Sequence, residues 1–467
     1  MKQEKKELEI SREMYLAVRF ISGVLALALM IFTGYGAITF CLGLFAEGEH
    51  IVRLPGQESP LVTLSDLPQA PTPIHVDPDQ VVEIARADIS VAGDVMPHLP
   101  IVRSGRTGNG YNFDDVFTYL ESYISGADYA VANLETTFSG TDGKDYTGYP
   151  NFNSPDAIAA SVKHTGFDML LTGNNHIYDY GTPGLKRTLS VIESFGLESL
   201  GAVADKENSR HVIHSLGGVK VGMVSYTFAD IDNNGNVTVN GHKTDSAAAG
   251  LISAFDYKKL SQFYTEAESE IAAMKANGAD AIVMYIHWGD EYSTMISDSQ
   301  QSIAQKLCDL GVDVIVGSHP HVVQPIDLLV STVDPNHTTI CAYSTGTLLS
   351  NLRADTIDMP TSHCEDGLLF SFTLSKYNDG TTRVSAVKLL PTWVLVVGSG
   401  DDRDFRILPL DMNTSDWGRV FDLSAEQQVD ARDSYNRTIA LVTQGLNKIT
   451  SHLNEQNAGI DPSMGLG

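Results

Sequence analysis

An α/β fold is what the sequence predicts, on three observations. Short runs rich in β-branched residues recur from Ala87 onward, stretches with helical punctuation separate them, and each run closes in a polar cluster. In order the runs are ADISVAGD, ADYAVANLE, FDMLLTGNNH, KVGMVSYTF, ADAIVMYIHWGD, VDVIVGSHPH and TTICAYSTG. Ligands of open α/β sheets bind outside the carboxyl ends of the strands, which is where these clusters fall. The repeated placement predicts a site assembled from strand ends.

Five segments follow along the chain. Residues 1–19 hold Lys2, Lys5, Lys6, Arg12 and Arg19 against Glu4, Glu7, Glu9 and Glu13, and are predicted to be a cytoplasmic tail. Residues 20–46, FISGVLALALMIFTGYGAITFCLGLFA, carry no charge and exceed the roughly 20 apolar residues that cross a hydrocarbon core about 30 Å thick. The run is longer than the apolar part of a cleaved signal and lacks a small-residue cleavage site, so a retained transmembrane helix is expected. Only Arg53 follows it closely, and the positive-inside rule places the C-terminal bulk outside the cell. Residues 47–86, with Pro55, Pro60, Pro68, Pro71, Pro73 and Pro78, read as an extended stalk.

Residues 87–412 form the predicted α/β domain. Within it Ser154 is expected to cap a helix with Pro155 at its first position and Gly166 at its close, and another helix is expected from Tyr257 to Asn277, ahead of Gly278. After Trp393 the strand pattern fades. Residues 413–467 read as a helical stretch from about Ser424 to Leu453 and a frayed tail, packed on the domain or mobile and without catalytic duty.

Composition bounds the function. Over 467 residues 43% are hydrophobic and 19% charged, an ordinary globular balance. Lys plus Arg number 31 against 58 Asp plus Glu, a net charge of -27, which argues against a nucleic-acid partner because phosphate backbones are held by basic surfaces. A polyanionic ligand would need a local cationic or metal site. Of four cysteines, Cys41 lies in the apolar run; Cys308, Cys341 and Cys364 form no C-x-x-C or even-numbered framework. Small thiols are expected there, with one disulfide through Cys364 left open.

The chemistry-bearing clusters come next. In SVAGDVMPH a strand ends in Gly93 and Asp94 with His98 four residues on; the Asp suits a hard-metal ligand or general base, though Gly-Asp is also a plain turn. Asn133 and Glu135 put a carboxamide and a carboxylate on one side of a strand end. Asn174, Asn175 and His176 follow an apolar run, and Asp179 could orient an imidazole, although an Asn-rich turn with a capping Asp would read the same way. His287 closes a buried strand, where a satisfied core histidine is an equal explanation. His319 and His321 stand two apart after a glycine turn, so both rings can face one crevice. Five such strand ends in succession make a mixed O/N donor set suited to Zn, Mn or Fe and less well to Mg.

The blocks GDVM, ANLET, FNSPD, GNNHIYDYG, HWGDEY and GSHPHVVQP resemble the signature blocks of the bacterial capsule-synthesis (CapA, or PgsA) family of poly-γ-glutamate synthesis, from about Ile89 to Val394. The resemblance implies a metallophosphatase-like layered α/β sandwich with one N-terminal transmembrane helix. It also implies a role in making, exporting or releasing an anionic polymer at the cell surface. The order of clusters parallels the calcineurin-like metallophosphoesterases. Two departures stand out: Thr347 replaces the family's usual Asn in Tyr343-Ser344-Thr345-Gly346-Thr347-Leu348, and Met96 occupies the His position of the phosphoesterase Asp-x-His.

The expectation is therefore a cell-membrane protein with an extracellular metal-dependent hydrolase or transferase domain. One or two divalent ions (Mn, Zn or Fe) would be held by Asp94, Glu135, Asn175, His287, His319 and His321. His176, Asp179 and Glu135 would be catalytic, with His176 as general acid, and His98, Asn133, Asn174 and Glu291 would meet substrate. The expected partners are an anionic polymer such as poly-γ-glutamate, membrane-bound capsule synthase components and the membrane itself. A non-catalytic polymer-binding scaffold and a surface metallophosphoesterase are the alternatives.

Overall fold

Two sheets pack face to face, with helices on their outer sides, and the strand parity of the sequence explains why. The computed structural model describes residues 80–457, apart from 143–144, 355, 358–360, 401 and 415. The predicted tail, membrane span and nearly all of the predicted stalk lie outside these residues. Among the described residues no helix is long and apolar enough to cross a membrane.

The first sheet is built from β1 (Glu83–Val95), β2 (Tyr129–Leu134), β3 (Met169–Leu171) and β4 (Glu198–Leu200), all parallel. The second holds β5 (His211–Leu216), β6 (Val219–Phe228), β7 (Ala281–His287), β8 (Val314–Ser318), β9 (Ile326–Val330) and β10 (Thr338–Ala342). Its strands β6, β7, β8 and β10 run parallel, flanked by antiparallel β5 and β9. The chain then returns to the first sheet as β11 (Thr347–Leu349), beside the end of β1, and as the antiparallel β12 (Asp366–Tyr377), β13 (Thr382–Val397) and β14 (Asp404–Pro409). β1 thus begins at Glu83, inside the segment assigned to the stalk.

Alternate residues of each strand take opposite sides. Ile89, Val91, Val131 and Met169 of the first sheet meet Val221, Met223, Val283 and Val316 of the second in one inner core. The intervening Ala132 and Leu170 face outward onto α1 (Ala157–Thr165) and α2 (Gly181–Ser194) through Ile158, Val162 and Ile192. On the other side Ile282, Met284 and Ile286 pack on α3 (Leu260–Ala276) and α4 (Asp298–Asp309) through Phe263, Ile271, Ile303 and Leu307. Burial on both faces is why the central strands read as apolar runs without alternation.

The helix ends differ in detail from expectation. α1 starts after Asp156, and Ser154 instead bonds its hydroxyl to that of Thr136 at 2.9 Å, while Gly166 closes the helix as expected at φ 108°. Tyr257–Lys259 is a 3-10 turn capped by Asp256, and α3 proper begins at Leu260. A reciprocal cap between Ser297 and Gln300 starts α4.

The strands do not fade after Trp393. β13 continues to Val397 and β14 forms the sheet edge, with Leu408 packed against Trp417 and Phe421. Phe405 and Ile407 bury one side of this short strand, while the other carries the half-buried Asp404 and Arg406 before Leu408, so the apolar signal is weak. α5 (Ala425–Asn457) extends into the stretch expected to fray. Its stripe of Ala431, Ser434, Thr438, Val442, Gly445, Ile449 and Leu453 recurs every three or four residues and lies against the domain. Arg437 fastens it by a two-pronged ion pair to the buried Asp366, at 2.9 and 2.8 Å, and Ser434 donates to the same carboxylate at 2.7 Å. Among the described residues Cys308, Cys341 and Cys364 are buried and unpaired, so no disulfide joins Cys364 to Cys308 or Cys341.

Candidate metal centre

Strand parity carries the polar residues inward as it carries the core. Asn133 continues the inward series Tyr129, Val131, and His287 continues Ala281, Val283, Tyr285, so both enter the gap between the sheets at the strands' carboxyl ends. Asp94 arrives by a bulge. Ala92 pairs with Ala132 and Asp94 with Asn133, leaving Gly93 as the extra residue. A Cβ at Gly93 would lie 2.1 Å from the Gly346 carbonyl oxygen, so only glycine lets β1 approach the β10–β11 turn, where the Asp94 amide donates to that oxygen at 3.0 Å.

His319 and His321 follow β8 in the loop, and they converge for a different reason from strand alternation. Their φ angles are 96° and 55°, left-handed values on either side of Pro320 that turn both rings back toward the gap. Gly317 permits the turn, because a side chain there would meet the Tyr343 carbonyl at 2.0 Å. Thr347 donates to the His321 carbonyl at 3.2 Å, so the departure from the usual Asn serves the backbone of this loop. Tyr292, at φ 61°, donates its amide to the Pro320 carbonyl at 2.7 Å.

The resulting cluster is buried and carboxylate-centred. Glu135 is 0% exposed, with Oε1 3.5 Å from His287 Nε2 and 3.7 Å from His321 Nε2. Asp94 Oδ2 lies 2.9 Å from His321 Nδ1, and Asn133 Nδ2 donates to Asp94 at 2.8 Å and to Glu135 at 3.2 Å. His287 places Nδ1 2.8 Å from Ser318 Oγ and Nε2 2.9 Å from Asn175 Oδ1. Its ring centre is 4.8 Å from that of His319, and Phe228 packs on both imidazoles.

The electrostatics follow from that packing. Burial alone would raise the Glu135 carboxyl, but His321, His287 and His176 outweigh it and hold it well below the usual carboxylate range. Burial pulls the His321 imidazole down, yet Glu135 and Asp94 prevail and lift it to about 9. For His319 burial, helped by His287 and His321, outweighs the opposing pull of Glu135 and drives the imidazole well below its ordinary value, which keeps it neutral.

These residues fit a divalent cation. One ligand atom each of Glu135, His319 and His321 lie within 4.8 Å of one another, and the same holds for Asp94, Glu135 and His287. Glu135 belongs to both groups, which matches one ion or two adjoining ions. Glu135 Oε1 and His319 Nδ1 are buried without a hydrogen-bond partner, a costly arrangement for polar atoms unless another group meets them. Ser318 is placed to hold His287 at Nδ1 and turn Nε2 toward Glu135 and Asn175, and Asp94 holds His321 at Nδ1 in the same way, with Nε2 toward Glu135.

His176 stands beside this cluster with different contacts. Its Nδ1 is 2.7 Å from Asp179 Oδ2, and Phe152 packs edge-on at 4.8 Å between it and His98. His98 turns Nδ1 to the Met96 carbonyl at 3.1 Å or the Asn351 amide at 3.3 Å, and burial lowers it to about 4. It makes no hydrogen bond to the cluster. Asn174 is fully buried, donating to the Leu134 carbonyl at 2.7 Å and to Asn133 at 3.2 Å while accepting the His176 amide at 3.2 Å. Its polar atoms, like those of Asn133, bond to the neighbouring loops and to the cluster's own side chains. Glu291 is exposed at the rim of a cleft of about 650 Å³ whose walls include Asn175, Phe228, Asn240, Tyr257 and His319. Met96 is 3% exposed, in an apolar cluster with Phe152, Val322, Leu352 and Cys364, and offers nothing to a metal.

Three contributors escaped the sequence reading: Ser318 behind His287, Phe228 under the imidazoles, and Asn240 beside Asp179. Ser318 adjoins a named histidine and could have been found; the other two come from distant parts of the chain.

A family model for the bacterial capsule synthesis protein PGA_cap matches residues 88–352. The capsule biosynthesis protein CapA of Bacillus anthracis is 27% identical over 285 residues, 60% of this chain and 62% of that protein. The PGA biosynthesis protein CapA of Bacillus subtilis is 26% identical over 281 residues, 59% of this chain and 65% of that protein. A Mycobacterium tuberculosis protein named "Probable polyglutamine synthesis accessory protein" is 27% identical over 209 residues, 43% of this chain and 52% of its own length. The alignments thus span less than two thirds of each of these relatives.

Proposed function

The chain belongs to the bacterial capsule synthesis protein PGA_cap family, and from that membership we propose that it is a metal-dependent hydrolase or transferase acting on an anionic, poly-γ-glutamate-type polymer during synthesis, export or release. The observation that carries the catalytic part is the pair of orphaned buried atoms, Glu135 Oε1 and His319 Nδ1, inside a shell of carboxylates and imidazoles. The two sheets with outer helices and strand-end donors support a metallophosphatase-like sandwich. Met96 disfavours a conventional surface phosphoesterase, because an apolar thioether occupies the place of a ligand.

Asp94, Glu135, His287, His319 and His321 would hold the metal, with Asn175 at its edge. The bound ion would supply a Lewis acid for a carbonyl or phosphoryl oxygen and a local positive charge in a protein of net charge -27. His176, fixed by Asp179, presents Nε2 for proton transfer. The cleft admits the chain to this point, and the burial of the donors excludes bulk water.

The membrane anchor at residues 20–46, the outward orientation and a membrane-bound synthase partner are part of the same proposal. Proteinase added to intact protoplasts is expected to digest the α/β domain; protection of the domain would reverse the orientation. Elemental analysis tests the centre. The full chain, purified in detergent without chelator, is expected to retain one or two equivalents of Mn, Zn or Fe, and chelation is expected to abolish polymer processing until metal is restored. Metal-free protein with undiminished processing would overturn the reading.

A further inference from the structure

We propose that Asn240 is a positioning residue that fixes the Asp179–His176 pair from across the cleft, an inference that rests on the reading of His176 as the proton-transfer group. Asn240 and Gly241 form the two-residue turn between Val237–Val239 and His242–Lys243, with φ angles of 46° and 73°. Positive φ at both central residues is the type I′ hairpin turn, for which Asn-Gly is a favoured pair. The turn alone would account for an asparagine here. What it does not account for is where the amide goes.

Asn240 Nδ2 lies 2.7 Å from Asp179 Oδ1 and 3.0 Å from the Pro150 carbonyl oxygen. Two acceptors for two N–H groups fix the amide orientation, since the flipped amide would set oxygen against oxygen twice. The other carboxylate oxygen of Asp179 accepts the Phe152 amide and faces His176 Nδ1, both at 2.7 Å. A carboxylate that close to an imidazole nitrogen requires Nδ1 to carry the hydrogen, which leaves Nε2 as the reactive atom. Asn240 Nδ2 then packs 3.2 Å from the same Nδ1 without bonding to it. Asp179 cannot rotate without breaking the Asn240 bond, so the asparagine limits the imidazole to one orientation. The hairpin is itself docked, through His242 Nε2 at 2.9 Å from Asn151 Oδ1 and the Asp245 carboxylate, which accepts from Thr182 at 2.8 Å.

Two substitutions separate this role from that of a turn residue, because Gly and Asp both suit a type I′ turn. Asn240→Gly removes the amide, and Asn240→Asp sets a carboxylate against Asp179. The full chain is expected to stay folded and keep its metal content in both, with a melting temperature lowered by the lost hydrogen bonds to Asp179 and Pro150. Polymer-processing kcat should fall about 10-fold in Asn240→Gly and about 100-fold in Asn240→Asp, with KM unchanged. The NMR resonance of the His176 Nδ1 proton, identified by its loss in His176→Ala, should shift or broaden in both variants. Wild-type kcat together with an unmoved Nδ1 resonance would overturn the proposal and leave Asn240 a turn residue. An Nδ1 resonance that moves in a protein where His176→Ala itself leaves processing intact would uphold the positioning and remove the catalytic role of His176.

Discussion

Glu135→Gln is expected to empty the metal centre without unfolding the protein. Glu135 is shared by both groups of candidate ligands, so replacing it removes the only carboxylate from one and one of two from the other. Gln keeps the shape, but its amide nitrogen cannot coordinate and would point at an imidazole. Affinity is expected to fall by more than about 100-fold, since even partners that merely orient ligands are worth 10–100-fold. Stability should behave differently. Without metal the substitution strips His321 and His287 of the carboxylate that pairs with them, so the metal-free variant should stay folded but melt below metal-free wild type. With metal, wild type gains the free energy of binding, about 2.7 kcal/mol at 100 times Kd, and the variant does not. Melting curves with and without chelator measure both at once: a large shift for wild type, none for Glu135→Gln. Full metal occupancy in the variant would remove Glu135 from the centre.

How much of this was legible beforehand depends on the range of the interaction. The α/β class came from local pattern, because strands buried on both faces must be apolar over their length, as in Ala281–His287. Asp94, Glu135 and His287 were legible as strand-end residues, and the family blocks brought them together. The spacing of His319 and His321 suggested convergence, but the cause is a pair of left-handed residues around Pro320, which no periodicity announces. His98 shared a motif with Asp94 yet bonds to backbone, because the six-residue helix Leu99–Ser104 begins beside it and takes the chain away from the cluster. Asn240 was invisible for the opposite reason. Its Asn-Gly dipeptide signals a turn, and the bond to Asp179 spans 61 positions. β14 was missed because a six-residue edge strand that opens with Asp404 and Arg406 on one face resembles a polar linker.

His176→Ala is expected to leave metal and fold in place and to cost about 10²–10⁴-fold in polymer processing, the usual contribution of a general acid or base. The contacts say why metal should stay. His176 makes no hydrogen bond to Asp94, Glu135, His287, His319 or His321; its ring bonds Asp179 and packs on Phe152. Asp179 also survives the change well supplied. Without the imidazole it still accepts from the Phe152 amide at 2.7 Å and from Asn240 at 2.7 Å, so no buried carboxylate is stranded. The loss of stability should therefore stay near the low end of the roughly 1–3 kcal/mol that a broken buried hydrogen bond costs. His319→Ala is the contrasting case, because its ring lies 4.8 Å from that of His287 and within ligand distance of Glu135 and His321. That variant should lose metal and activity together. Measured side by side, polymer output, metal content and melting temperature distinguish the two roles. A His176→Ala protein that folds, keeps its metal and still processes polymer at the wild-type rate would take the proton-transfer step away from His176.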